Sequence, residues 1–101
     1  MSDLPQALRD QLINLVISLR ADTENFLQEH QDTQQWYNRG YANGMVRGLI
    51  ELTGEAQPGG MQPDNESDLA GHEVMAWGKA YRHGESMGEK ETYEIESVGS
   101  T

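Results

Sequence analysis

GYANGMVRG at residues 40–48 and AYRHGESMG at residues 80–88 are two copies of one pattern, small-Tyr-x-x-Gly-x-x-x-Gly. A tryptophan precedes each copy, Trp36 before Gly40 and Trp77 before Ala80. Glycine inside a helix costs about 1 kcal/mol relative to alanine, so regularly spaced helical glycines need a reason. Gly40, Gly44 and Gly48 are four residues apart, as are Ala80, Gly84 and Gly88, and residues four apart share one helix face. The repeat therefore predicts two matched helices, each with a stripe of small residues along which another helix approaches backbone to backbone. Trp36, Tyr41, Trp77 and Tyr81 flank the stripes and supply apolar area. The facing element is either the other copy in the same chain or the same helix of a second chain, which would make a homodimer. A membrane setting is excluded, because Arg39, Asn43, Arg47, Lys79, Arg82 and His83 interrupt these segments too densely for lipid.

Outward from the repeat, the rest of the chain also reads as helical. Leu4, Leu8, Leu12, Leu15, Val16, Leu19, Phe26 and Leu27 recur at three-and-four spacing and predict a first amphipathic helix over about 4–29. Ser2 or Asp3 can cap it, Pro5 suits the first turn, and a break at 22–24 fits the weaker pattern there. Asp32 followed three residues later by Gln35 resembles a capping box and opens a second helix over 33–52. TGEAQPGGMQPDNE at 53–66 is rich in glycine and proline and is expected to be a mobile loop. A third helix is expected over 67–89, and 91–101 reads as a flexible acidic tail in which TYEIE, 92–96, alternates like a short strand. The fold class is then all-α: one domain over 1–90 with three main helices, the second and third packed along their glycine stripes.

The chain has 101 residues, no cysteine, and 17 acidic against 7 basic side chains, a formal net charge of −10. Absent cysteines exclude disulfides and thiolate metal sites and fit a cytoplasmic home. No apolar run is long enough to span a bilayer, and the start lacks the features of a signal peptide. The charge opposes direct binding to nucleic acid or anionic membranes and favours a protein partner with a basic surface, engaged through Glu85, Glu89, Glu91 and Glu94.

A rival reading starts from local charge. No acidic residue lies between Asp32 and Glu51, where Arg39, Asn43 and Arg47 share a helix face, and Lys79, Arg82 and His83 form a similar interval. Such a basic, aromatic band suits a phosphate or nucleotide, although the glycines do not form a phosphate loop. Chemistry finds less support. His72-Glu73 lacks the second histidine of a zinc-protease helix, and His30, His72 and His83 are not spaced as metal ligands. Asp64, Glu66 and Asp68 alternate like the start of a calcium loop, but Leu69 and Met75 stand where that loop needs glycine and glutamate. Neither a cofactor nor an enzymatic activity is expected.

On the aromatic-x-x-Gly-x-x-x-Gly motifs of Tyr41 to Gly48 and Tyr81 to Gly88, the chain resembles the small acidic helical accessory proteins that tailed bacteriophages express early in infection. That resemblance implies a non-enzymatic protein that binds and disables one host factor in the host cytoplasm. It carries over no functional residue.

Overall fold

A computed structural model describes residues 5–99, and residues 1–4 and 100–101 lie outside it. Among the described residues the fold is all-α, with α1 over Gln6–Asp22, α2 over Thr33–Thr53, the single turn α3 over Glu66–Leu69, and α4 over Ala76–Gly99. Short 3-10 turns at Phe26–Gln28 and Pro58–Gly60 complete it.

The helix boundaries follow from local chemistry. The expected cap residues Ser2 and Asp3, with Leu4, lie outside the described residues, and α1 begins directly after Pro5. It ends at Asp22 rather than near 29, because the Asp-Thr-Glu-Asn run at 22–25 competes for its own backbone. Thr23 shows that competition: its hydroxyl donates to the Leu19 carbonyl at 2.7 Å, and the chain turns so that Phe26 points inward. At the start of α2 the Asp32 carboxylate accepts from the Gln35 N–H at 3.1 Å. At its end Gly54, at φ +75°, takes the left-handed cap that glycine adopts without strain and returns its N–H to Ile50.

The two glycine series face each other within the chain. A Cβ placed on Gly40 or Gly44 would lie 1.9 or 2.0 Å from the carbonyl oxygen of Tyr81 or Glu85. One on Gly84 or Gly88 would lie 2.1 Å from that of Tyr37 or Tyr41, so the approach is reciprocal. Backbone this close places Cα–H groups against carbonyl oxygens, contacts worth about 0.5–1 kcal/mol each. Gly40 meets Tyr81, Gly44 meets Glu85 and Gly48 meets Thr92; the numbers rise together, so α2 and α4 run parallel. The Ala80 position of the repeat packs instead against the aromatic cluster of Phe26, Trp36, Leu69 and Tyr81.

A parallel pair explains the long connection. The chain must travel back along α2, whose 21 residues span about 32 Å at 1.5 Å per residue, before α4 can start. Residues 54–75 do this as an anchored strap and not as the free loop expected for 53–66. Pro58 is buried and Met61 joins the core of Leu12, Ile13, Val16, Ala42, Met45, Val46 and Leu49. The helix expected at 67–89 is interrupted, because Gly71 at φ +86° turns the chain between α3 and α4. Of the first helix's apolar stripe, Leu12 and Val16 are buried, whereas Leu15 is 45% exposed.

The expectation of a flexible tail from residue 91 is corrected: α4 continues to Gly99. Its Glu and Lys residues are good helix formers, and two apolar contacts hold the extension. Thr92 is buried opposite Gly48 with its hydroxyl on the Gly88 carbonyl at 2.7 Å, and Ile95 packs on the core. The 92–96 segment is therefore helical and not a strand. No helix of the described residues is long and apolar enough to cross a membrane.

Candidate functional site

Of the basic residues that suggested a ligand site, Arg39, Arg47 and Arg82 are joined to carboxylates of the strap and of α4. Arg39 donates to Asp64 through Nε and Nη2, at distances between 2.9 and 3.2 Å. The buried Tyr81 hydroxyl donates to the same carboxylate at 2.7 Å, and Arg20 stands 3.7 Å from it. Asn43, fully buried, donates to Glu85 at 2.7 Å and accepts the Asp64 N–H at 2.7 Å. Arg47 lies 3.2 Å from Glu85 and 3.4 Å from Glu66. Arg82 bonds Glu66 at 2.6 Å, Glu73 at 2.9 Å and Glu85 at 2.9 Å.

The electrostatics follow this wiring. The hydrogen bond from Arg82 holds the Glu66 carboxyl below its ordinary range, and the same contacts raise the Arg82 guanidinium. Burial pushes the Tyr81 phenol up, with the Asp64 charge adding to it. Burial also lowers Arg20, partly offset by Asp64. Arg39 and Arg82 thus donate to carboxylates and Asn43 to Glu85, whereas the buried Nε of Arg47, 3.2 Å from Glu85, makes no hydrogen bond; a phosphate would have to displace a carboxylate at each arginine. Lys79 is exposed and has no ion-pair partner among the described residues, while His83 meets the Tyr37 ring edge-on at 5.5 Å. These six residues do not converge on one open site.

The aromatic residues of the repeat divide in the same way. Trp36 and Tyr81 are buried with Phe26, which meets Trp36 edge-on at 4.9 Å. Trp77 stacks on His30 at 4.6 Å and donates its Nε1–H to His72 Nδ1 at 3.0 Å. Tyr41 is half-buried, and its hydroxyl donates to Glu91. Burial first, then that hydrogen bond, pushes the Tyr41 phenol from 10.0 up to about 12. The stability contributed by this phenol is complete below pH 10.0 and is lost as pH rises toward about 12. Denaturant titrations across that window should show the loss, and Tyr41→Phe should reduce it. A Tyr41 phenol ionising at 10.0 with the fold intact would contradict this assignment.

Of the four glutamates expected to form the acidic partner surface, Glu85 does not belong there. Its side chain is 15% exposed and is occupied by Asn43, Arg47 and Arg82. Glu91 is engaged by Tyr41, and the exposed Glu94 stands 3.9 Å from Lys90. The Glu89 side chain makes no hydrogen bond or ion pair among the described residues, and neither does that of Glu51 on α2, which sequence reasoning passed over. Both line a hollow of about 180 Å³ with Arg47, Ile50 and Pro63. Glu89 also borders an open depression along Ser86, Lys90 and Tyr93. Among the described residues no group of three or more histidines or carboxylates is placed to hold a metal.

Comparison with known proteins adds no assignment. No family model, no curated protein and no solved structure matches the chain. Its functional reading rests on its own geometry. Sequence reasoning missed Arg20, Glu51, Asp64, Glu66 and Tyr93. The available signal was the Asp64 and Glu66 alternation, which resembles the start of a calcium loop but whose carboxylates bond Arg39 and Arg82.

Proposed function

We propose that the protein is a non-enzymatic interaction module that offers an acidic surface, at the end of α2 and along the second half of α4, to a basic site on a protein partner. The placement of the charges supports this reading most. Of the seven Lys and Arg residues, Arg9, Arg20, Arg39, Arg47, Arg82 and Lys90 each pair with a carboxylate of the chain. The net charge of −10 is therefore carried by carboxylates left over, among them Glu51 and Glu89. Such a surface repels nucleic acid and steers a basic protein toward it.

A phage-encoded inhibitor of a host defence or nucleic-acid enzyme is a module of this kind, because the basic groove that holds nucleic acid accepts an acidic helical body. The nucleotide-binding reading loses Arg39, Arg47 and Arg82 to internal ion pairs. The homodimer built on glycine stripes loses its surface to the α2–α4 contact.

The expected result is salt-sensitive capture of a protein partner from host lysate. Neutralising Glu51, Glu89 and Glu94 to glutamine should weaken capture about tenfold, the effect of about 1.4 kcal/mol in total. The same charge change at Asp22, Glu24 and Glu29 should leave it nearly unchanged. Equal loss from both sets, or capture indifferent to salt, would remove the basis of the proposal.

A further inference from the structure

The groove where α2 and α4 meet the strap has a chemistry narrower than general acidity. Its hollow of about 180 Å³ is lined by Arg47, Ile50 and Pro63 with the carboxylates of Glu51 and Glu89. That volume falls below the roughly 300–1,000 Å³ of small-molecule pockets, yet holds far more than one water, so it suits a single side chain. Glu89 connects it to the depression bordered by Tyr93, a residue that is 36% exposed. The Tyr93 phenol is raised by burial and then by the charges of Glu89 and Glu51, so both carboxylates act on that ring.

Two cations border the groove, Arg47 in the lining of the hollow and Lys90 in the depression, and both are already paired within the chain. Arg47 is held by Glu85 and Glu66, and Lys90 pairs with Glu94. The Pro63 wall is fixed in advance, because the adjacent Asp64 is tied to Arg39, Asn43 and Tyr81. A wall already in place avoids an ordering cost when a ligand enters.

Resting on the interaction reading above, we propose that this groove receives an arginine side chain of the protein partner. The guanidinium stacks against Tyr93 and the apolar wall while its edges bond Glu51 and Glu89. Arginine fits better than lysine because its plane is weakly hydrated and presents several donors in one fork. An ammonium is a compact, strongly hydrated charge that gains less from an apolar wall.

The test is a nuclear magnetic resonance titration of the full chain with a hexa-arginine peptide and, separately, a hexa-lysine peptide, at physiological ionic strength. Hexa-arginine should shift the resonances of Ile50, Glu51, Glu89 and Tyr93 first and bind several-fold more tightly than hexa-lysine. Glu51→Gln with Glu89→Gln should weaken its binding about tenfold through the loss of two charge-assisted contacts. Tyr93→Leu should reduce the preference for arginine over lysine. These three side chains are not engaged in the core, so the variants fold. If both peptides bind equally, or their shifts spread evenly over Asp22, Glu24 and Glu29, the arginine site is wrong while the acidic-surface reading stands. If neither peptide binds even at low salt, both readings fall.

Discussion

Gly44→Ala is expected to lower the free energy of unfolding by about 3 kcal/mol or more, the upper end of the overpacking range. The added Cβ would sit 2.0 Å from the Glu85 carbonyl oxygen and 2.7 Å from the Glu89 nitrogen. Both atoms belong to the backbone, so no side chain can rotate away and the helices must part. The gain of about 1 kcal/mol in helix propensity cannot offset this. Gly84→Ala should behave alike, since its Cβ would meet the Tyr37 carbonyl oxygen at 2.1 Å.

Gly48→Ala is the internal control. Its Cβ would lie 3.0 Å from Cβ and Cγ2 of Thr92, so a shift of a few tenths of an ångström relieves the contact and the cost should be well below that of Gly44→Ala. Denaturant unfolding of the three variants measures the difference. A Gly44→Ala chain as stable as Gly48→Ala would mean that α2 and α4 do not meet at Gly44.

Asp64→Ala should cost about 3 kcal/mol, the lower end for breaking a buried pair by removing one partner. The Asp64 side chain is 10% exposed, against 18% for Arg39 and 19% for Arg20, so the site is not fully dry. Its removal leaves Arg39, the Tyr81 hydroxyl and the Arg20 charge without their common acceptor. The strap should loosen before the helices do, with faster amide exchange over 57–69 than along α2 and α4. A double-mutant cycle with Tyr81→Phe should give a coupling of about 1.5–3 kcal/mol, as for a hydrogen bond to a charged group. A cost within about 0.5 kcal/mol would instead class Asp64 with ordinary surface ion pairs.

The helical class and the repeat were legible because glycine at four-residue spacing has few uses other than close packing. The Asp32 and Gln35 cap was legible for a similar reason, since it depends on residues near in sequence. What could not be read was long-range. Spacing along one helix does not say whether its neighbour runs parallel or antiparallel, and the parallel answer is what turns 54–75 into a strap. Composition gave the wrong result at both ends of α4. Gly71 interrupts the expected third helix, and the charged segment after Lys90 stays helical because Thr92 and Ile95 find partners on α2 and in the core.

The candidate site was less legible than the fold. Arg39, Arg47 and Arg82 looked like a free basic band because their acidic partners Asp64, Glu66 and Glu85 lie elsewhere in sequence. Glu85 looked like surface for the same reason. Glu51 and Glu89, two of the carboxylates left unpaired among the described residues, belong to different helices and come together only through the parallel arrangement.

That arrangement is tested most directly by nuclear Overhauser contacts in a mixture of isotope-labelled and unlabelled chains. Intrachain contacts from Gly40 to Tyr81 and from Gly84 to Tyr37 are expected, with none of these in the interchain spectrum. Contacts from Gly40 to Thr92 would show an antiparallel pair, and contacts confined to the interchain spectrum would place the glycine stripes between two molecules; either result would contradict it.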